Sequence, residues 1–219
     1  MPKFAAGVLN FQSNVYPDKQ SLFERLSGGQ SPEALFITCA DSRIETAMIT
    51  QTQPGELFVC RNAGNIVPPH TQNTDGMDAS IEYALAVLKV PHIVVCGHSG
   101  CGAMAGAMNP EGLESLPHVK DWLSFSRAAV DIVKSVGADK SEAEQMDMLI
   151  EQNVLLQIQH LKTHPAVAIA LAEKRTEIHG WVYNIGTGGV TAYDEAQDKF
   201  VLVDERYAEA VARYASAGH

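Results

Sequence analysis

The sequence predicts an α/β fold: a single domain whose central, mostly parallel sheet is flanked by helices, with an antiparallel edge strand late in the chain and an N-terminal helical arm. Three observations predict it. The short apolar runs ALFITCA (34–40), ELFVCR (56–61) and HIVVCGH (92–98) have the length and composition of strands buried on both faces. Segments of helical periodicity stand between and after them. Late in the chain, IHGWVYNIGTGGVTAYDEAQDKFVLVD alternates and breaks at Gly186–Gly189, a hairpin signal. No repeat, linker or low-complexity segment interrupts the chain, so residues 1–219 read as one domain with residues 1–30 as its arm.

The elements follow in order. The arm holds two weakly amphipathic helical stretches, around Ala5–Asn14 and Asp18–Leu26; Pro17 or Asp18 opens the second and Gly28-Gly29 stops it. In TDGMDASIEYALAVLKV, Met77, Ile81, Ala84, Leu85 and Leu88 share one helical face, with Thr74 or Asp75 as the cap. Helical runs follow near Val119–Ser135, Glu142–Lys162 and Pro165–Glu173, the last with proline at a favoured first position. A helix over Glu205–Ala215 closes the chain.

Composition excludes several classes of function. The chain has 219 residues, 46% hydrophobic and 19% charged, with a net charge of −10 and no basic block. That argues against nucleic acid or an anionic membrane as partner. No apolar run approaches the roughly 20 residues that span a bilayer. The start, MPKFAAGVLNFQ, lacks a full signal-peptide core and cleavage site, so a cytoplasmic protein is expected. Four cysteines are too few for a disulfide scaffold; grouped with His and Asp in a reducing cytosol, they suggest metal or catalysis.

In an open α/β sheet, sites form where loops leave the carboxyl ends of strands. Two strands end in chemically capable loops: CADSR supplies Cys39, Asp41 and Arg43, and CGHSGCG supplies His98 and Cys101. Cys39, His98 and Cys101 make a set of two thiols and one imidazole, and three protein ligands with one open position is what a catalytic zinc site needs. Cys96 and Cys60 sit inside strands and read as core. Gly97 and Gly100 are expected to begin a sharp turn that carries His98 out over the strand end. Asp41 has three readings: an ionised acceptor beside Arg43 for a metal-bound water, a fourth ligand closing the site, or half of a surface ion pair. His70, His92, His118, His160, His164 and His179 are expected on surfaces or loops.

Together CADSR, RNAGNIVPP and CGHSGCGAM resemble the β-class carbonic anhydrases, over roughly Ser21 to Phe200 and including HGWVYNI. The resemblance implies Zn2+ bound by Cys39, His98 and Cys101, with Asp41 and Arg43 as the catalytic dyad. It implies reversible hydration of carbon dioxide to bicarbonate and a proton, by attack of a zinc-bound hydroxide. Of the family's two active-site forms, the chain is similar to the open, water-ligated one. Gln30 matches a substrate-binding glutamine, Phe58 and Tyr83 match apolar pocket walls, and Gly102 offers a backbone N–H to substrate or merely permits a turn. Phe36 stands where the family often has the tryptophan of an inhibitory bicarbonate site, although Arg61 and Tyr183 suit the rest. Family pockets form between subunits, so a homodimer or homotetramer is expected.

Two thiolates would cancel the metal's charge and leave bound water less acidified than in three-histidine carbonic anhydrases, where its pKa is about 7. Activity is therefore expected to rise toward alkaline pH. Two rival readings remain: a carbon disulfide or carbonyl sulfide hydrolase on the same fold, and a non-catalytic zinc-binding sensor. The Asp–Arg dyad speaks against the sensor, since a structural site needs four closed ligands and no dyad.

Overall fold

The structure is a computed structural model that describes residues 1–72 and 74–216. The chain divides into two compact units, Met1–Ser31 and a second that begins at Pro32. In the first, α1 (Pro2–Asn10) widens into a π-type turn over Phe11–Val15, and a 3-10 turn at Pro17–Lys19 leads into α2 (Gln20–Leu26). The expected helix over Ala5–Asn14 thus loses its α geometry at Phe11. Local packing accompanies the change: Tyr16 stacks on Phe23 at 5.3 Å, and Phe11 meets both rings edge-on at 6.0 Å.

The second unit is the α/β sheet. Its elements run β1 (Ala34–Cys39), α3 (Thr46–Thr50), β2 (Leu57–Asn62), α4 (Gly76–Glu82), β3 (His92–His98), α5 (Gly102–Met108), α6 (Pro117–Leu123), α7 (Arg127–Val136), α8 (Glu142–Leu161) and α9 (Pro165–Ala172). Then follow β4 (Glu177–Tyr183), β5 (Val190–Asp194), β6 (Lys199–Leu202), α10 (Val203–Arg206) and α11 (Ala208–Ser216). The strand order is β2-β1-β3-β4-β5-β6. The first four strands are parallel, and β5 and β6 are both antiparallel, so the late addition is two strands rather than one.

Side-chain chemistry explains the helix boundaries. Asp75, not Thr74, caps α4: its carboxylate accepts from the Met77 and Asp78 amides, and Asp78 accepts from Asp75 N in return. A π-type turn at Tyr83–Val87 carries the predicted apolar face on to Leu88. The run expected over Val119–Ser135 is two helices, α6 and α7, parted by a 3-10 turn at Ser124–Ser126. At that turn the buried Ser126 hydroxyl donates to Asn153 Oδ1 at 2.8 Å.

The sheet does not turn at Gly97. β3 continues to His98, which pairs with Tyr183. Glycine at 97 serves close packing instead, because a Cβ there would lie 3.0 Å from Val154 Cγ2 and 3.2 Å from Ile150 Cγ2, both on α8. The turn comes at Gly100, whose φ of +63° favours glycine. With α8 seated directly on β3, Leu149, Ile150 and Val154 bury into the apolar layer on that face. Phe36, Val94 and Cys96 bury on the other.

Candidate metal centre

Strand order creates the site. From β1 the chain moves to β2 on one side, then returns to place β3 on the other. The carboxyl ends of β1 and β3 are therefore a topological switch point, where α/β sheets open a crevice. The register Thr38↔Cys96 sets Cys39 level with the last residues of β3. Beyond His98, the Ser99 N–H donates to Tyr183 O, and the Ile185 N–H donates to Ser99 Oγ at 2.9 Å. Those two bonds fix the turn that brings Cys101 to the start of α5.

The outcome is a compact donor set. The ligand atoms of Cys39, His98 and Cys101 all lie within 4.8 Å of one another, and all three residues are buried. His98 Nδ1 lies 3.0 Å from Ser99 O. A carbonyl only accepts, so Nδ1 carries the hydrogen and Nε2 bears the lone pair. Nε2 is buried without a hydrogen-bond partner. Hydrogen bonding from Cys101 is the largest effect holding the Cys39 thiol far below its usual range, aided by the Gly64 N–H at 3.4 Å from its sulfur. The same contact with Cys39, together with burial, pushes the Cys101 thiol up. An orphaned imidazole nitrogen beside a thiolate and a second sulfur fits a borderline-soft cation such as zinc.

Asp41 and Arg43 stand at its edge. Arg43 Nε donates to Asp41 Oδ1 at 2.9 Å and Nη2 to Oδ2 at 2.7 Å, a bidentate pair, while the Arg43 amide also donates to Oδ1. Arg43 Nη2 reaches Gly100 O at 3.1 Å as well, tying the two loops together. These hydrogen bonds from Arg43 hold Asp41 well below the usual carboxylate range. Asp41 Oδ2 is 3.9 Å from His98 Nε2, close to the donor set yet engaged by the guanidinium.

The other residues singled out in the sequence distribute differently. Gly102 is the first residue of α5, with open space where a Cβ would go and no positive φ, so it is not there to permit the turn. Its N–H lies in the helix's first turn, which has no intrahelical acceptor. Phe58 and Tyr83 meet each other at 5.9 Å. They do not meet this centre: Phe58 pairs with Leu35, at the end of β1 opposite Cys39. Four residue steps along β1 separate the two levels, or about 13 Å. Tyr83 is 44% exposed, and Gln30 belongs to the first unit and is exposed.

Cys96 packs with Phe36 and Val94, and burial pushes its thiol up to about 12, the behaviour of a core residue. Cys60 is also buried in the core. Phe36 meets Trp181 edge-on at 6.0 Å, and Arg61 Nη1 donates to Ile44 O at 2.7 Å.

Sequence reasoning missed the residues that hold the loop over Cys39. Asn153 and Gln157 lie buried on the apolar face of α8. Asn153 Nδ2 donates to Gly64 O at 3.0 Å, Gln157 Oε1 accepts from the Val67 amide, and Trp122 Nε1 donates to Ala63 O. The signal was present as two polar residues, four apart, between Ile150 and Leu161. Asn153→Ala should cost about 1–3 kcal/mol, the penalty for unpaired buried groups. Because Gly64 is also the Cys39 donor, zinc affinity should fall roughly 10–100-fold, as when a ligand loses its outer partner. Chelator competition alongside chemical denaturation would check this; lower stability with unchanged zinc affinity would show that the loop does not tune Cys39.

The family model described as Carbonic anhydrase matches residues 34–190. A carbonic anhydrase of Pseudomonas aeruginosa is 48% identical over 91% of this chain and 90% of its own length. Among solved structures, the β-carbonic anhydrase CcaA superposes with a TM-score of 0.90 at 40% identity, covering 92% of this chain and 91% of that one. A tetrameric β-carbonic anhydrase of the ascomycete Sordaria macrospora gives a TM-score of 0.70 at 35% identity, covering 87% and 92%.

Proposed function

This chain belongs to the β-carbonic anhydrases and catalyses the reversible hydration of carbon dioxide to bicarbonate and a proton; from that premise we propose that zinc held by Cys39, His98 and Cys101 is its catalytic centre. The observation that carries the proposal is the buried, unpartnered Nε2 of His98 within 4.8 Å of two cysteine sulfurs. Zinc there supplies a Lewis acid that makes water nucleophilic at moderate pH.

The chain's own groups do the rest. Asp41, kept ionised by Arg43, accepts a hydrogen bond from the attacking water and aims its lone pair at the carbon. Because Arg43 engages both carboxylate oxygens, Asp41 is restrained from closing onto the metal, which favours the open form. The Gly102 N–H, at the start of α5, is the donor for a substrate oxygen. Phe58 and Tyr83 line the pocket of a second copy, since both lie away from their own centre. A homodimer or homotetramer follows. Phe4, Val8 and Leu9, at 69%, 56% and 64% exposed, offer apolar surface on the arm for such a partner. The setting is the cytoplasm, where a reducing environment keeps the two cysteine ligands unpaired. No helix among the described residues is long and apolar enough to cross a membrane.

Assaying carbon dioxide hydration and carbon disulfide hydrolysis side by side, before and after zinc removal, tests the reading. Hydration should dominate, vanish with the metal and return with zinc. It should also rise between about pH 6 and 9, since Asp41 is ionised throughout and contributes no inflection there. Faster turnover of carbon disulfide, a flat profile, or hydration that survives zinc removal would each contradict it.

A further inference from the structure

His164 lies in the loop between α8 and α9, one of the places expected for it, yet it is buried there, only 3% exposed. Its Nε2 lies 2.9 Å from Pro68 O. Since that carbonyl only accepts, Nε2 carries a hydrogen and donates it. In the neutral ring Nδ1 is then a lone pair, and it faces Asp78 Oδ1 at 3.3 Å. Two acceptors at this distance repel unless something positive lies between them.

A third donor stands beside them. The ring of His70 is 5.6 Å from that of His164, and the ligand atoms of His70, Asp78 and His164 all lie within 4.8 Å of one another. Each is anchored separately. The His70 amide donates to Thr163 Oγ1 at 2.8 Å, and Asp78 Oδ2 accepts from the Asp75 amide, which leaves Oδ1 for another partner. The three border one cavity of about 220 Å³. With metal–nitrogen and metal–oxygen bonds of about 2.1 Å, two ligands on one ion sit roughly 3.0–3.4 Å apart, which matches the His164–Asp78 separation.

We propose that His70, Asp78 and His164 form a second metal site, separate from the Cys39–His98–Cys101 centre, that takes a divalent transition cation such as zinc or cobalt. Its two imidazoles and one carboxylate, without sulfur, suit such ions, and solvent fills the open positions. The ion would join three pieces of chain, the loop at 68–70, α4 and the start of α9.

A third grouping, His92, Glu177 and His179, serves as an internal contrast. There the Trp181 indole donates to the Tyr207 hydroxyl, the hydroxyl donates to His179 Nδ1, and His179 Nε2 donates to His92 Nδ1 at 3.2 Å. No two acceptors are left opposed.

The test is metal content per chain after equilibrating the intact protein with low-micromolar Zn2+, repeated with Co2+ to read ligand type from the absorption spectrum. Wild type should hold one ion more than His70→Ala and Asp78→Asn, whatever the total, while His92→Ala should match wild type. The cobalt lost with His70 should show no sulfur-to-metal charge transfer, which separates this site from the cysteine-bound one. Affinity for that ion should fall at least about tenfold in His70→Ala, since even an outer-sphere partner is worth that much. His70 is exposed, so its replacement leaves the fold and the hydration rate intact. Equal metal content in wild type and His70→Ala would overturn the site and leave His164 and Asp78 as an ion pair. Loss of the ion in His92→Ala instead would overturn it too.

Discussion

Cys39→Ser is expected to lose one zinc ion per chain and to lower kcat/KM for carbon dioxide hydration by at least about a thousandfold, because little nucleophilic water exists at neutral pH without the metal. The substitution is nearly isosteric, so the fold should survive it. Cys39 ends β1, is buried, and receives the Gly64 N–H, which a serine oxygen also accepts. What changes is charge. Hydrogen bonds from Cys101 and neighbouring groups favour a thiolate at this position, whereas a serine there stays a neutral hydroxyl and a poor zinc ligand. Metal analysis, stopped-flow hydration and a thermal melt on the same preparation would separate the effects. Full activity with zinc retained would rule out Cys39 as a ligand; a collapsed melt would make Cys101→Ser, at the start of α5 rather than inside the sheet, the informative variant.

Asp41→Asn should do the opposite in one respect: zinc stays and the rate falls, by about 10²–10³, within the span of a positioned proton acceptor. Asparagine keeps the shape but loses the charge, and its amide gives Arg43 one acceptor oxygen where the carboxylate gave two. The bidentate geometry at 2.9 and 2.7 Å is then lost, and with it the loop contact through Gly100 O is weakened. Arg43→Lys should repeat part of the defect, since an ammonium is a point charge and not a planar fork. Metal analysis alongside kcat and KM is the check. A wild-type rate in Asp41→Asn would reduce the dyad to an ion pair at the pocket mouth, with Arg43 half-exposed.

Much of this was legible in the residue types alone. β1 and β3 announced themselves as apolar runs, because strands covered on both faces carry little else. β2, expected to be buried as well, is an edge strand with Val59 and Arg61 exposed. α8 was legible almost to the residue, with Ser141 and Glu144 forming its capping box. The π-type turns at Phe11–Val15 and Tyr83–Val87 were not legible, since they depend on which faces meet and leave no mark in residue type. Gly97 was misread as a turn for a related reason. A glycine looks the same in sequence whether it bends the chain or admits a helix, and only the placement of Val154, 3.0 Å from where a Cβ would stand, distinguishes the two.

The sequence by itself determined the chemistry: two sulfurs and an imidazole as donors, an Asp two residues before an Arg, and the strand ends that would present them. Those are properties of residue type and local spacing, which the chain carries wherever it folds. Tertiary structure alone decided distance. Strand order brought Cys39 beside His98, Ser99 O chose the tautomer that leaves Nε2 bare, and α8 lent Asn153 to the loop over Cys39. It also set Phe58 at the far end of its strand and buried His164 against Asp78. Such contacts join residues far apart in the chain, and their geometry comes from register and packing rather than from any local preference.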